Sequence, residues 1–161
     1  MELRGSDNAA GCRFAIVVSR FNEEITEGLL RGARQALAGA SVDSGDITII
    51  RVPGAFEIPL AALRAAETGR FDAIICIGCL IKGDTMHFEY IAEAACNGIA
   101  QASADTGIPM ALGVLTTLTE EQAIARAAEG RENKGREAAV AAVQMATLLR
   151  QMDDLAQGSG A

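Results

Sequence analysis

Tryptophan is absent from this chain, tyrosine occurs once, at Tyr90, and histidine once, at His87. So few flat rings exclude an extended platform on which successive nucleobases stack. Basic residues are the next shortage: 14 Lys and Arg stand against 21 Asp and Glu, for a formal charge of −7. A nucleic-acid surface needs a basic face, so that class of partner is excluded too. An anionic ligand must then meet a local cluster of cations inside an acidic protein. Half of the residues are hydrophobic, yet no apolar run approaches the length that crosses a bilayer, and no membrane partner is expected. The opening stretch MELRGSDNAAGC lacks the apolar core of a signal peptide, so a cytoplasmic location is expected. Cysteines are few and irregularly spaced (Cys12, Cys76, Cys79, Cys96), which suits reduced thiols better than a disulfide framework.

What the chain does have is alternation. At 161 residues it is long enough for one domain with a substantial core. FAIVVS (14–19), ITIIRV (47–52), FDAIICIGCLI (71–81) and PMALGVLTT (109–117) read as strands. Helical patterns lie between them: 23–40, where Ile25, Leu29, Ala33 and Leu37 recur at helical spacing, then IPLAALRAAETG and 86–107. After the last strand come TEEQAIARAAEG, opened by a Thr119–Gln122 capping-box pattern, and a long helix over 133–155. Residues 1–11 and 156–161 are expected as disordered tails. Strands this apolar are expected to be buried on both faces, as in a parallel sheet covered by helices. The class is α/β: a three-layer sandwich around a four-stranded parallel sheet.

In such folds ligands bind beyond the carboxyl ends of the strands. SRFN (19–22), PGAFE (53–57), GCLIKGDTMH (78–87) and GVLTT (113–117) fall there. Cys76-Ile-Gly-Cys79 matches a redox CxxC, but on a strand its two side chains turn to opposite faces, and two buried structural thiols are the better reading. With a single histidine, a zinc site is not expected. Residues 78–85 resemble a phosphate-binding P-loop, with Asp84 where the lysine belongs; an acid there repels a triphosphate, so that reading fails. Gly83, Asp84 and Thr85 still precede a helix, where backbone N–H groups and a hydroxyl serve equally as a helix cap or as a cradle for one phosphate. His87 is placed in the first turn of that helix. Histidine is the side chain whose charge ordinarily changes near neutral pH, and a catalytic role is favoured over simple packing. Glu57 either complements a helix N-terminus or accepts from a polyhydroxyl ligand. Phe21 is either a shielded loop residue or a stacking face for a heterocycle. Arg126 and Lys134 flank a break between two helices, where ordinary solvated charges are the default reading.

Taken in order, SRFN, VPGAFEIP, GCLIKGDTMHFEY, GVLTT with EQAIARA, and NKGREAA resemble the lumazine synthase family over roughly residues 12 to 150. The resemblance implies a flavodoxin-like fold and a place in riboflavin biosynthesis. The implied reaction condenses 5-amino-6-(D-ribitylamino)uracil with 3,4-dihydroxy-2-butanone 4-phosphate, releasing phosphate and water, with no metal or redox cofactor. By motif position, Phe21 would stack on the pyrimidine, and Ala55, Phe56 and Glu57 would meet the ribityl chain and ring. The backbone at Cys79, Leu80 and Ile81 would read the ring's polar edge. Asp84, through its N–H, and Thr85 would hold the phosphate with Arg126. His87 would shuttle protons, with Lys134 and Glu137 supporting the charged ligands.

The resemblance also implies a homopentamer, with each site at a subunit boundary; a sixty-subunit icosahedral capsid is favoured beyond it because no insertion separates Arg126 from Lys134. Two positions depart from the family pattern. Leu112 stands where many relatives carry Phe, so apolar contact replaces a second aromatic face. AAEGRE (127–132) stands where capsid-forming relatives have a glycine-containing turn of the Gly-Thr-Lys-Ala-Gly kind. Competing readings are a flavin- or lumazine-binding carrier of the same fold, a shell protein with a vestigial site, and the archaeal type of riboflavin synthase. Against the carrier, SRFNEE puts acids where a flavodoxin's phosphate loop would be.

Overall fold

A computed structural model describes residues 1–158. Four strands, β1 (Phe14–Ser19), β2 (Ile47–Val52), β3 (Ala73–Ile81) and β4 (Met110–Thr117), form one parallel sheet in the order β2-β1-β3-β4. Five helices connect or follow them: α1 (Glu23–Gly39), α2 (Ile58–Glu67), α3 (His87–Thr106), α4 (Glu120–Ala127) and α5 (Lys134–Gly158). The α/β fold expected from the alternation is the one observed.

Strand alternation divides the core into two layers. Phe14, Ile16 and Val18 of β1, with Ile75, Ile77 and Cys79 of β3, pack beneath α1, α4 and α5. Ala15 and Val17, with Ile74, Cys76 and Leu80, pack beneath α2 and α3. Cys76 and Cys79 therefore lie on opposite faces, as strand geometry requires. Burial pushes the Cys76 thiol up to about 12 and the Cys79 thiol up to about 11. On α1 the stripe Ile25, Leu29, Ala33 and Leu37 is buried throughout. Thr119 Oγ1 accepts from the Gln122 backbone N–H at 3.2 Å, and Gln122 Oε1 accepts from the Thr119 N–H at 3.3 Å, so the capping box forms.

Two expectations need correction. Burial on both faces holds for β1 and most of β3 but not for the edge strands: Thr48 and Arg51 of β2 and Leu112 and Thr116 of β4 are exposed. β2 is a sheet edge, and Arg51 is instead ion-paired with Glu27 of α1. Residues 1–11, expected to be disordered, run against α5. The Ser6 N–H donates to Thr147 Oγ1 at 2.8 Å, Gln151 Nε2 to the Arg4 carbonyl at 2.8 Å, and Ala9 is buried. Of the expected C-terminal tail, residues 156–158 continue α5 and the rest lies outside the described residues.

The order β2-β1-β3-β4 makes the chain leave β1 in one direction and return past it to β3. That reversal opens a crevice at the carboxyl ends of β1 and β3.

Candidate active site

The loops after β1, β2 and β3 meet over that crevice. Beyond β1 the backbone continues the ladder, with the Arg20 N–H donating to the Val52 carbonyl at 2.9 Å and the Phe21 N–H to the Pro53 carbonyl at 3.1 Å. Asn22 then adopts the left-handed conformation (φ 58°, ψ 49°) and its Nδ2 donates to the Cys79 carbonyl at 3.0 Å. Asn tolerates this conformation better than most residues. The turn leaves the Phe21 ring 66% exposed over the crevice. After β2, Pro53-Gly54 and a short 3-10 turn (Ala55–Glu57) present Phe56, 63% exposed, and Glu57. After β3, Thr85 Oγ1 lies 3.4 Å from the His87 N–H, and His87 opens α3.

The result is a groove of about 810 Å³, a size suited to a small-molecule ligand. Of the sequence-predicted residues, Phe21, Ala55, Phe56, Glu57, Leu80, Ile81, Thr85 and His87 line it. Asp84 is exposed and outside the lining, although its neighbours Gly83 and Thr85 belong to it. The Cys79 side chain is buried on the opposite face, and its carbonyl is engaged by Asn22. Among the described residues, no Lys or Arg lines this groove.

The cations lie elsewhere. Leu112, 54% exposed, lines a second cavity of about 220 Å³ along the β4 edge, together with Arg126 of α4 and Lys134 of α5. Lys134 Nζ is 2.9 Å from Glu137 Oε2, so Glu137 reaches this cavity through its ion pair. The Arg126 Nη1 donates to the Gln122 carbonyl at 3.2 Å. The two cavities have no lining residue in common. Among the described residues, no cluster of three or more His, Cys, Asp or Glu is placed to hold a metal, and no helix is long and apolar enough to cross a membrane.

Sequence reasoning missed Phe88, Tyr90 and Ile91, which also line the groove. A signal existed for two of them: positions three and four beyond His87 on a helix share its face. Tyr90 is 68% exposed there. Also missed was Asn133, read only as the first residue of a helix.

The chain matches the family profile described as 6,7-dimethyl-8-ribityllumazine synthase over residues 11–150. It is 48% identical over 151 residues to the 6,7-dimethyl-8-ribityllumazine synthase of Salinibacter ruber (strain DSM 13855 / M31), covering 94% of this chain and 97% of that protein. To the enzyme of the same name from Syntrophus aciditrophicus (strain SB) it is 52% identical over 144 residues, covering 89% of this chain and 94% of that protein.

Proposed function

The chain belongs to the 6,7-dimethyl-8-ribityllumazine synthase family, and on that premise we propose that its active site is completed by two copies of the chain, each supplying one of the two cavities. It is a transferase of riboflavin biosynthesis, condensing 5-amino-6-(D-ribitylamino)uracil with 3,4-dihydroxy-2-butanone 4-phosphate and releasing phosphate and water. The observation that carries the two-copy reading is a division of chemistry. The groove offers rings, a carboxylate and an imidazole but no cation, whereas the β4-edge cavity offers Arg126 and Lys134 but no ring. A substrate pair that is flat and polyhydroxylic at one end and phosphorylated at the other needs both.

In this reading Phe21 stacks on the pyrimidine, and Glu57 accepts from ribityl hydroxyls beside Ala55 and Phe56. Leu80 and Ile81 floor the ring, with backbone polar groups of Cys79 to Ile81 at its edge. Leu112 of a second copy closes over it. Arg126 of that copy meets the phosphate together with Thr85 and the Asp84 N–H, while Lys134, oriented by Glu137, adds charge. The pyrimidine amine attacks the ketone and water leaves to give an imine, phosphate is eliminated, and the ribityl-bearing amine then adds to the remaining carbonyl, closing the ring as a second water leaves. His87 accepts and returns protons across these steps. Holding both substrates supplies much of the rate, and the cations stabilise the departing phosphate.

Apolar surface supports assembly. Met86 and Tyr90 beside the groove, and Leu118 and Ile124 on the β4 side, are all exposed large hydrophobic residues. A homopentamer is the smallest assembly proposed, with a sixty-subunit capsid beyond it. Free cysteines suit a cytoplasmic location.

The activity is tested by mixing the purified protein with both substrates and following the absorbance of 6,7-dimethyl-8-ribityllumazine. Steady turnover without added metal is expected. A protein that carries bound flavin or lumazine and shows no turnover would instead be the carrier.

A further inference from the structure

Between Arg126 and Lys134 in the chain, behind the β4-edge cavity they line, lies a buried amide. Asn133 is 2% exposed, follows the break after α4 and immediately precedes Lys134, just as Arg126 immediately precedes Ala127. Its Nδ2 donates toward the Ala127 carbonyl at 3.0 Å, the Ala128 carbonyl at 3.1 Å and the Gly28 carbonyl of α1 at 3.1 Å. Its Oδ1 accepts from the Arg136 N–H at 3.0 Å. α4 ends at Ala127, and Ala128 turns to an extended conformation, so the last α4 carbonyls have no following turn to bond them. The first amides of α5 are equally without intrahelical partners. One side chain therefore caps the end of one helix and the start of the next. α1 backs directly onto it: a Cβ on Gly32 would overlap the Asn133 side chain.

This geometry fixes more than the fold. Arg126 is one residue from a carbonyl that Asn133 holds, and Lys134 is one residue from Asn133 itself. We propose that Asn133 is a positioning residue that sets the spacing of Arg126 and Lys134 so that both meet one phosphate group; this rests on the proposed phosphate role of those cations. A hydroxyl in place of the amide keeps an acceptor for the start of α5 but cannot reach and donate to α4. Arg126 then loses its register while the fold keeps its capped helix.

The test is steady-state kinetics on Asn133→Ser, Arg126→Ala and the double variant, with both substrates varied. Asn133→Ser should raise KM for the butanone phosphate about tenfold, since misplacement of a binding group by about 1 Å costs on the order of tenfold to a hundredfold. KM for the pyrimidine should stay within about twofold. In the Arg126→Ala background the same change should add less than about twofold, because a residue acting through Arg126 has nothing left to act on. If the serine variant fails to fold, Gly32→Ala, whose Cβ would displace the Asn133 side chain from its place against α1, serves as the second variant with the same KM split expected. Full additivity, or a lowered Tm with both KM values unchanged, would overturn the positioning role. If Arg126→Ala itself leaves the butanone phosphate KM unchanged, the phosphate reading of the cavity falls first and takes this inference with it.

Discussion

His87 faces the groove from the first turn of α3, where it shares a lining with Phe21, Glu57 and Thr85. If it moves protons, His87→Ala slows turnover by about 10²-fold, the low end of what a positioned acid–base group contributes, with both KM values nearly intact. Unchanged turnover accompanied by a lower Tm would make the residue structural. Arg126→Ala should weaken the butanone phosphate selectively, since a charge-assisted contact to phosphate is lost. Equal losses for both substrates would mean that Arg126 organises the fold instead.

Cys76 offers a pH-dependent check on the core. Its buried thiol is pushed up to about 12 from an ordinary value of 9.0. The folded state thus keeps a proton that the unfolded chain releases, so the stabilisation is complete below about pH 9 and is lost as pH rises toward about 12. The stability advantage of the native protein over Cys76→Ala should be about 1 kcal/mol smaller at pH 10 than at pH 7. Urea unfolding at the two pH values measures it, and a constant gap would mean that the thiol is not desolvated. At this scale the sequence was informative where a residue type was rare. A lone histidine beside Gly-Asp-Thr and a phenylalanine in a polar turn stood out against their neighbours. Asn133 and Tyr90 did not, because the packing of Asn133 against α1 and the side of α3 that meets the groove are set by tertiary structure.

Among the elements, α1 packs against α5 and against the end of α4 through glycine. A Cβ on Gly135 would overlap the Leu29 carbonyl, and one on Gly28 would crowd the Ala127 carbonyl. Within a helix, replacing Gly by Ala ordinarily stabilises by up to about 1 kcal/mol. Gly135→Ala should do the reverse, lowering stability by about 2 kcal/mol as α5 is forced away from α1. Thermal unfolding reads the sign directly, and an unchanged or raised Tm would contradict this packing. The strands and helices themselves were legible because central strands are apolar throughout and helices alternate with them at regular spacing. The edge position of β2 and the course of residues 1–11 along α5 were not, since both are set by strand order and by tertiary hydrogen bonds that no local pattern encodes.

For the whole molecule, the acidic chain concentrates two of its cations at the β4 edge and its exposed rings around the groove. Neither cavity alone suits both substrates, so the active species should be an oligomer. Light scattering should find a homopentamer or a larger assembly, and an active monomer would remove the need for a second copy. The most direct measurement is complementation between His87→Ala and Arg126→Ala chains, mixed during refolding and assayed at a butanone phosphate concentration where each variant alone turns over slowly. If sites are shared, random pairing at equal ratio sets an intact His87 against an intact Arg126 at about one boundary in four, and about a quarter of the native rate should return. Verified mixed assemblies whose rate is no more than the average of the two variants would contradict a site built from two copies.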